Sequence, residues 1–491
     1  MVASEPHWGH VLKELPLGSS FKRWAEILKS SDFTHPRVAL MPPLRLRTPV
    51  RCATIVSVML DIRFIRENAE AVQENARRKN YNVDIARLIT LDDQRRELSV
   101  RADELRERRN ANAAKMKGGK PEQSLIDEGK AIKTELAELE DSFGLLEEDV
   151  LKLQKAVPNM ALEDVPVGAS EDENIVAKVV GEPTTFDFEP RNHWQIAEQR
   201  DWIDKERAAK VAGSRFAYIK GDLVKLQFAI IQYVINSLSD ETVLAKIAQN
   251  AGLEGVSTKP FTPVLPPLVI RTELYDAMDR LEPRDDRYKL EDDDLWLQGS
   301  AEHVMGSMHA GEMLSEEQLP LRYLGYATSF RREAGTYGKD MEGILRMHQF
   351  DKLEMESFTT GENGLKEHLL MVAIQEYLLA SLGIPYRVIQ KCTADIGKPD
   401  ARGIDMEAWL PGQDQYRETH TADYMTDYQS RRLQTRVRRA EGAPELVHTN
   451  DATAFALGRA MIAIIENNQH SDGTVTIPEA LRPYMGGRDV L

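Results

Sequence analysis

A long helical periodicity constrains the fold of this chain more than any other feature. Apolar side chains recur in alternating steps of four and three residues between positions 132 and 157. That spacing gives a helix one narrow apolar stripe, which has to pack against a partner helix. The segment is therefore predicted to be one strand of a coiled coil. Its stripe consists of Ile132, Leu136, Leu139, Phe143, Leu146, Val150, Leu153 and Val157.

An upstream segment supplies the partner for this helix. It carries a weaker stripe and is followed by MKGGKPEQ, residues 116–123, in which glycines end one helix and a proline starts the next. The two segments together predict an antiparallel helical hairpin. The upstream stripe consists of Leu88, Leu91, Leu98, Ala102 and Leu105.

The two predicted helices differ in charge, since the first is rich in arginine and the second in glutamate and aspartate. Ion pairing between the helices is one explanation. The other explanation is a projecting arm whose basic face contacts an RNA backbone. The arginines that would make those contacts are Arg101, Arg106, Arg108 and Arg109.

A stretch with prolines and a glycine, KAVPNMALEDVPVG at 155–168, predicts a domain boundary near residue 165. Residues 59–165 would form the arm domain. Residues 166–491 alternate amphipathic helices with short β-rich runs, which predicts one large α+β domain. Residues 1–58 are proline-rich and more basic, and they are expected to be a disordered extension or to precede a true start at Met59. A targeting segment is the alternative, although four acidic residues are unusual for one.

Composition excludes several classes of function. The 491 residues carry a formal charge of -16, which argues against general adhesion to nucleic acid and requires any RNA site to be local. No apolar run approaches a membrane span. Cys52 and Cys392 stand far apart without other ligand-type neighbours, so neither a disulfide framework nor a structural zinc site is expected. A reducing, cytoplasmic setting fits these features.

The stretch TSFRREAGTYGKDMEGILRMHQFDKLE, residues 328–354, has the chemistry of a nucleotide site. The chain lacks both the P-loop and the GxGxxG patterns, so side chains would have to hold a nucleotide. Arg331 could fork onto a phosphate, Glu333 could accept from an adenine amino group, and Phe350 could stack on the base. Each residue alone is more often a surface ion pair or a core aromatic.

The order of several motifs resembles that of a known family. SFRREAG, then RMHQFDKLE, and later FALGRAMIAIIEN resemble motifs two and three of class II aminoacyl-tRNA synthetases, while VLPPLVI at 264–270, with Pro267, resembles motif one. The hairpin, VPNMALEDVPVG, SRFAYIKGDLVKLQFAII, DMEAWLPGQDQYRET and IPEALRPYMGG resemble seryl-tRNA synthetases of the bacterial type. The resemblance runs from about Met59 to the C-terminus. It implies a catalytic domain built on an antiparallel sheet flanked by helices.

The resemblance also implies roles for individual residues. Arg331 and Glu333 match the residues that hold the α-phosphate and adenine, Phe350 matches the stacking aromatic, and Arg459 matches the arginine on the terminal phosphate. Glu418 matches a glutamate associated with magnesium and phosphate. The implied catalytic set is Arg331, Glu333 and Arg459, and the implied ATP set adds Arg332, Phe350, Glu418, Thr419, His420 and Thr421. The side chain of Arg332 is nevertheless expected to point away from the nucleotide. The implied serine set is Ser300, Ala301, Glu302, Arg331, Glu354, Asp451 and Thr453.

Some positions depart from the family pattern. Ser300 stands where the family usually has threonine, Asp451 where it has asparagine, and Ala452 where it has glycine. Thr453 replaces a serine and adds a methyl group, so the pocket could be tighter. The run ETHTAD places Thr419, His420 and Thr421 at the edge of the ATP site, where His420 is expected to be a polar contact rather than a general base.

The implied activity is that of a serine–tRNA ligase, with L-serine, ATP and tRNA(Ser) as substrates and tRNA(Sec) as a further one where it exists. Magnesium is expected with ATP at Glu418, and a cytoplasmic homodimer without membrane contact is expected. Two alternatives stay open. One is a synthetase-like ligase that charges a carrier protein, although such relatives typically lack the hairpin. The other is a catalytically silent RNA-binding paralogue, which should have lost the phosphate-binding side chains.

Overall fold

The structure, a computed structural model, describes residues 60–117, 122–334 and 343–491, which all belong to one compact unit. The extension predicted for residues 1–58, with Cys52, and the centre of the MKGGKPEQ turn lie outside the described residues. Within the described ranges, no helix is both long and apolar enough to cross a membrane. The domain boundary near residue 165 stays a prediction.

Thirteen α-helices are present in the described part of the chain. In chain order they are α1 Ile62–Glu67, α2 Ala69–Arg78, α3 Ile85–Lys115, α4 Gln123–Ala156, α5 His193–Gln199, α6 Lys205–Ala212, α7 Asp222–Leu238, α8 Glu241–Asn250, α9 Thr272–Ala277, α10 Ala301–Gly306, α11 Gly364–Ser381, α12 Tyr428–Leu433 and α13 Leu457–Asn467. Five short 3₁₀ segments join them: Glu171–Glu173, Arg284–Asp286, Glu316–Gln318, Gly361–Asn363 and Glu479–Met485.

The predicted helical hairpin is confirmed as α3 and α4, of 31 and 34 residues. The stripe side chains Ala102, Leu105, Ile132, Leu136 and Leu139 form one buried cluster between the two helices. Near the base of the hairpin, a second cluster includes α1 and α2, so these short helices cap the open end of the coiled coil. The periodicity therefore largely determines this part of the fold, because a narrow apolar stripe is buried by packing against one partner helix.

Fifteen strands are described, and eight of them form the central sheet in the order β1, β10, β11, β12, β15, β9, β8, β4. All neighbours in it are antiparallel except β4 and β8, which confirms the predicted fold class. The strands are β1 Ile175–Val180, β2 Ile203–Asp204, β3 Tyr218–Ile219, β4 Thr262–Val264, β5 Val269–Arg271, β6 Leu295–Leu297, β7 Met313–Ser315, β8 Leu321–Phe330, β9 Gln349–Thr359, β10 Tyr386–Gln390, β11 Arg402–Leu410, β12 Gln415–Thr426, β13 Arg436–Arg438, β14 Glu445–Leu446 and β15 His448–Ala456.

The two faces of the central sheet have different chemistry because side chains alternate along each strand. In β9, Leu353 and Met355 enter the main apolar core, while Lys352, Glu354 and Glu356 point to the opposite face. Helices α7, α11 and α13 contribute apolar residues to the same core as Leu353. The helices therefore cover the apolar face, and the polar face is left for a functional site.

The base of the hairpin is joined to the central sheet domain by buried hydrogen bonds. The side-chain amide of Asn159 donates to the carbonyl oxygens of Pro399 and Met425, each at 2.8 Å. The Lys79 ammonium donates to the carbonyl oxygen of Asp400 at 2.8 Å and to those of Asn159 and Lys398 at longer distances. These contacts supply hydrogen-bond donors to the carbonyl oxygens of the loop that carries Asp400.

Candidate active site

Strand register places polar side chains of three neighbouring strands side by side on the open face of the sheet. Asp451 of β15 lies opposite Asp423 of β12 and Glu356 of β9, and Thr453 lies opposite Glu354. The sheet therefore presents two adjoining polar rows. Carboxylates in such rows repel one another unless cations or hydrogen-bond donors lie between them.

Two β-bulges shape this face. In β12, Met406 pairs with His420 and Glu407 pairs with Glu418, so Thr419 is an extra residue. Without the bulge, Glu418 and Thr421 would lie on opposite faces, whereas with it both face the site. A second bulge at Ala454 in β15 brings Thr453 and Ala456 to the same face.

A cleft of about 700 Å³ opens over these bulges. Seven of the nine predicted ATP residues line it: Arg331, Glu333, Phe350, Glu418, Thr419, Thr421 and Arg459. Thr453 from the predicted serine set and Lys352 lie at its inner end. The cleft therefore brings together cations, an aromatic ring and hydroxyl groups, which is the composition that a bound nucleotide requires.

Arg331 is held in place by its neighbours. Its Nε donates to the carbonyl oxygen of Gly299 at 3.0 Å, and its guanidinium carbon lies 5.4 Å from the ring centre of Phe350. The His348 ring nitrogen Nδ1 lies 3.0 Å from the Arg331 carbonyl oxygen, where it donates in the appropriate tautomer. Nε is occupied and Arg331 lines the cleft, so the planar guanidinium is held in place while its terminal nitrogens stay available to a ligand.

Glu333 lies just beyond β8 with a backbone φ of 53°. This is the left-handed region, which residues other than glycine and asparagine rarely adopt. Its carboxylate forms an ion pair with Arg346, another residue that lines the cleft. Such local strain is often kept where it aims a functional group. The strained turn here directs the Glu333 carboxylate back toward the cleft.

Arg459 and Glu418 form the opposite wall of the cleft. The Nη1 of Arg459 lies 2.9 Å from Oε1 of Glu418 and donates to the Glu418 carbonyl oxygen at 2.7 Å. Arg459 belongs to the first turn of α13, directly after β15. Both side chains are partly exposed, so the pair can open for a ligand at modest cost.

A buried compartment continues inward from Lys352. The Lys352 ammonium pairs with Glu354 and lies 3.2 Å from the hydroxyl oxygen of Ser300. The Ser300 hydroxyl also donates to Oε2 of Glu354 at 3.2 Å, and Glu354 is fully buried. Burial raises the pKa of Glu354 although Lys352 opposes the shift. Its other oxygen, Oε1, has no hydrogen-bond partner among the described residues.

Three carboxylates surround this compartment. Oxygens of Glu302, Glu354 and Asp451 lie within 4.8 Å of one another. Burial alone would raise the pKa of Glu302, but Arg280 at 2.8 Å, together with His303 and Lys352, outweighs it, and the pKa is held well below its usual range. Burial, with the Glu302 charge nearby, raises the pKa of Asp451 well above its usual range. These closely spaced, buried carboxyl oxygens can accept hydrogen bonds from a small cationic ligand such as an ammonium group.

Three residues of the predicted ATP and serine sets lie outside both compartments. His420 lies on the opposite face of β12, where its ring packs 5.0 Å from that of Phe455, and burial lowers its pKa to about 3. Arg332 donates from Nε to the Arg287 carbonyl oxygen and lies over the ring of Tyr288. Ala301 packs in an apolar cluster with Met305 and Ala327. Simple alternation would place His420 on the same face as Glu418. The extra residue at Thr419 moves His420 to the opposite face instead.

Comparison with known protein families identifies the family of this chain. The model of the seryl-tRNA synthetase N-terminal domain matches residues 59–161, and that of the tRNA synthetase class II core domain (G, H, P, S and T) matches residues 288–468. The serine–tRNA ligase of Deinococcus radiodurans is 38% identical over 439 residues, which are 88% of this chain and 99% of the relative. The chain belongs to the seryl-tRNA synthetase family.

Other members of the seryl-tRNA synthetase family agree in sequence and structure. The serine–tRNA ligase of Methanospirillum hungatei is 37% identical over 447 residues, which are 88% of this chain and 100% of the relative. The crystal structure of the Pyrococcus horikoshii seryl-tRNA synthetase complexed with ATP has a TM-score of 0.77 at 34% identity, covering 88% of this chain and 99% of that one. The Naegleria fowleri cytoplasmic enzyme in complex with AMP has a TM-score of 0.74 at 28% identity, covering 88% and 98%. The predicted family and enzyme class are confirmed.

The sequence-based prediction missed several residues of this seryl-tRNA synthetase site. Lys352 and Glu356 were detectable, because KLEME alternates polar and apolar residues and puts Lys352, Glu354 and Glu356 on one face. Arg346 was visible as a further arginine in the 328–354 stretch. Arg280 had no local signal, since it lies between elements and reaches the site only through the tertiary fold.

Proposed function

We propose that this chain activates L-serine with ATP to form seryl-adenylate and transfers the seryl group to the 3′ end of tRNA(Ser). The observation that carries the proposal is the meeting of two compartments at Lys352. The outer one carries Arg331, Arg459 and an aromatic ring, and the inner one holds three closely spaced buried carboxylates. Phosphates suit the first and a small ammonium group suits the second.

In the outer compartment, ATP would exchange existing contacts for new ones. Arg331 would grip the α-phosphate, Phe350 would stack on adenine, and Arg459 would release Glu418 to bind the terminal phosphate. Glu333 would accept from the adenine amino group, and Thr419 and Thr421 would line the edge. The solved Pyrococcus horikoshii relative, which is complexed with ATP, supports this assignment.

Mg²⁺ would enter as the partner of ATP. The donors present fit it, since Glu418 offers a carboxylate and the buried Thr421 hydroxyl has no hydrogen-bond partner among the described residues. Magnesium prefers such oxygen ligands and usually keeps waters and phosphate oxygens as well. Its contribution when bound is to offset phosphate charge.

In the inner compartment, the serine ammonium would lie among Glu302, Glu354 and Asp451, and the free Oε1 of Glu354 would gain a donor. Ser300 and Thr453 would bound the space available to the side chain. Positioned this way, the serine carboxylate is directed toward Arg331 and the nucleotide.

The reaction would then need positioning rather than an enzyme nucleophile. A serine carboxylate oxygen attacks the α-phosphorus, and the bond to pyrophosphate breaks. A terminal ribose hydroxyl of tRNA next attacks the seryl carbonyl carbon, and AMP leaves with the electrons of the broken bond. Arg331 would stabilise the charge that gathers on the α-phosphate in the first step.

The partners of this chain would be tRNA and a second copy of the chain. Basic residues of α3 would contact tRNA(Ser), and tRNA(Sec) would be accepted where it is present. A cytoplasmic homodimer remains the prediction; the side chains of Leu265 and Leu268, which flank Pro267, are 81% and 41% exposed and support a contact there. Sedimentation equilibrium would test the homodimer directly.

ATP–pyrophosphate exchange with a panel of amino acids tests the proposal. We expect serine-dependent exchange and serine-dependent charging of tRNA(Ser). Exchange with another amino acid and none with serine would reject the substrate. Exchange without any tRNA charging would favour a ligase acting on a carrier protein, and no exchange at all would favour a silent paralogue.

A further inference from the structure

A buried guanidinium that carries no assigned role links the inner carboxylates. Arg280 follows α9, and its side chain is only 17% exposed. Its Nε lies 2.8 Å from Oε1 of Glu302, and its Nη2 lies 3.2 Å from Oδ1 of Asp400 and 3.6 Å from Oδ1 of Asp451. One cation therefore contacts carboxylates from three separate segments of the chain.

The setting of Asp451 makes this contact important. Its strand neighbours Asp423 and Glu356 are also acidic, and its ion pair with Arg280 is the only one it forms in the described part of the chain. The family resemblance predicts asparagine at this position. An aspartate can ionise where an asparagine cannot; burial and the Glu302 charge oppose that ionisation, and the Arg280 guanidinium 3.6 Å away favours it.

The other cations nearby have different partners. Lys352 pairs with Glu354, and Lys391 lies 3.8 Å from Asp405 and 4.0 Å from Asp423. Neither forms an ion pair with Glu302 or Asp451 within the described residues. Arg280 therefore fixes the relative position of the two carboxylates on its side of the pocket.

We propose that Arg280 is a positioning residue for the amino-acid pocket, and that Arg280 and Asp451 act as a compensating pair in place of a neutral asparagine. The inference rests on the proposed function, because it assigns the pocket to the amino group of serine. Arg280 acts through Glu302 and Asp451 and does not contact serine itself. Loss of either member of the pair should therefore weaken serine binding and leave ATP binding unchanged.

A double-mutant cycle tests the pair. We expect Arg280→Met to raise the KM for serine by at least about tenfold and Asp451→Asn to raise it less, with the KM for ATP within about twofold of the unmodified chain. The double variant should recover part of the loss in serine KM, because Asp451 no longer needs a cation while Glu302 still lacks its partner. A merely structural arginine would not be rescued by a change at residue 451.

Arg322→Met is the control, because it removes an even more deeply buried arginine that pairs with Glu367 away from the pocket. Assayed below its melting transition, it should leave the serine KM unchanged. If Arg280→Met does not fold, Arg280→Lys takes its place, since the shorter reach of lysine cannot span three carboxylates.

The inference is overturned if the serine and ATP KM values rise together, if neither Arg280 variant changes the serine KM, or if the double variant is no better than Arg280→Met. Failure of the proposed function would appear separately, in the unmodified chain. If the unmodified chain activates another amino acid, the KM for that amino acid is measured in the same double-mutant cycle.

Discussion

The helical arm and the catalytic sheet domain both contain arginine–glutamate ion pairs, but the pairs are exposed to solvent in the arm and buried in the sheet domain. In the arm, Arg101 pairs with Glu135 and Arg106 with Glu140, and each of these side chains is at least 41% exposed. In the sheet domain, Arg322 and Glu367 pair with side chains 0% and 3% exposed. Water and salt screen the first kind of pair, whereas the second kind has no solvent to replace a lost partner.

This difference separates the two working surfaces. An exposed arginine can exchange a glutamate for a phosphate at little cost, so the arm can pair its helices and still meet RNA. A buried carboxylate without a full set of partners, such as Glu354, instead favours the ligand that completes it.

The largest effect is expected at the buried pair. Arg322 donates to both Glu367 oxygens and to the carbonyl oxygens of Lys259 and Ser257. Arg322→Met leaves a buried carboxylate unpaired and should lower the free energy of unfolding by about 3–5 kcal/mol, measured by urea denaturation.

Two variants calibrate this result. Replacing both partners, Arg322→Met with Glu367→Leu, should recover most of the loss because no buried charge remains. Arg101→Met in the arm should shift the urea midpoint very little. Equal losses from Arg101→Met and Arg322→Met would show that burial does not separate the two regions.

The next effect separates adjacent arginines of the catalytic domain. Arg331→Lys keeps the charge but removes the planar fork, so serine activation should fall about a hundredfold, equivalent to about 2–4 kcal/mol. Arg332→Lys should change activation only slightly, because Arg332 lies over Tyr288 outside the cleft. Pyrophosphate exchange and circular dichroism on both variants measure this, and equal damage from both would mean that the wrong arginine has been assigned.

Regular periodicity was enough to predict much of this structure. The 4-3 stripe from Ile132 to Val157 specifies the hairpin because burial of one stripe needs one partner. The alternation in KLEME could likewise have assigned Glu354 to one face of a strand, but this signal was missed and Glu354 was predicted from the family resemblance. In both cases the physical rule acts between residues close in the chain.

Sequence reasoning failed where the rule depended on tertiary register. The bulge at Thr419 sends His420 into the core and brings Glu418 and Thr421 to one face, and no local propensity marks it. Arg280 reaches Glu302, Asp400 and Asp451 across three segments, so only the assembled fold reveals it. Positions of Arg331 and Glu354 followed from the family resemblance, not from chemistry alone.

Lowering the pH should destabilise the sheet domain more than the arm, by a smaller free energy than the changes above. Residues 60–165 contain no histidine, whereas His368 in α11 is fully buried and burial lowers its pKa to about 3. Between pH 3 and 6.5 the unfolded chain binds a proton that the folded chain does not, so stability falls as pH drops below 6.5. The loss at pH 5 is about 2 kcal/mol for this one group.

His368→Phe removes the titrating group and should reduce the difference in urea midpoint between pH 7.5 and pH 5. Both ring nitrogens of His368 lack hydrogen-bond partners among the described residues, so phenylalanine breaks no such bond there. An unchanged pH dependence in the variant would show that His368 is not the group responsible.

The smallest effect on stability is expected in the arm, where the choice is between interhelix pairing and RNA contact. Arg101 and Arg106 have glutamate partners on α4, while Arg108 and Arg109 are exposed and form no ion pair with any described residue. Two double variants, Arg101→Ala with Arg106→Ala and Arg108→Ala with Arg109→Ala, should each shift the melting temperature by no more than about 2 °C. Neither should change serine-dependent pyrophosphate exchange.

Binding of tRNA(Ser) at several salt concentrations then distinguishes the two pairs. Each lost phosphate contact should reduce the slope of log affinity against log salt by roughly one unit. We expect the larger reduction for Arg108 and Arg109, because those side chains can meet phosphates without giving up a carboxylate. Unchanged slopes in both variants would place the RNA on another face of the arm. Loss of exchange activity together with binding would instead show that these arginines support the fold, and the contrast between a screened arm and a buried catalytic site would fail.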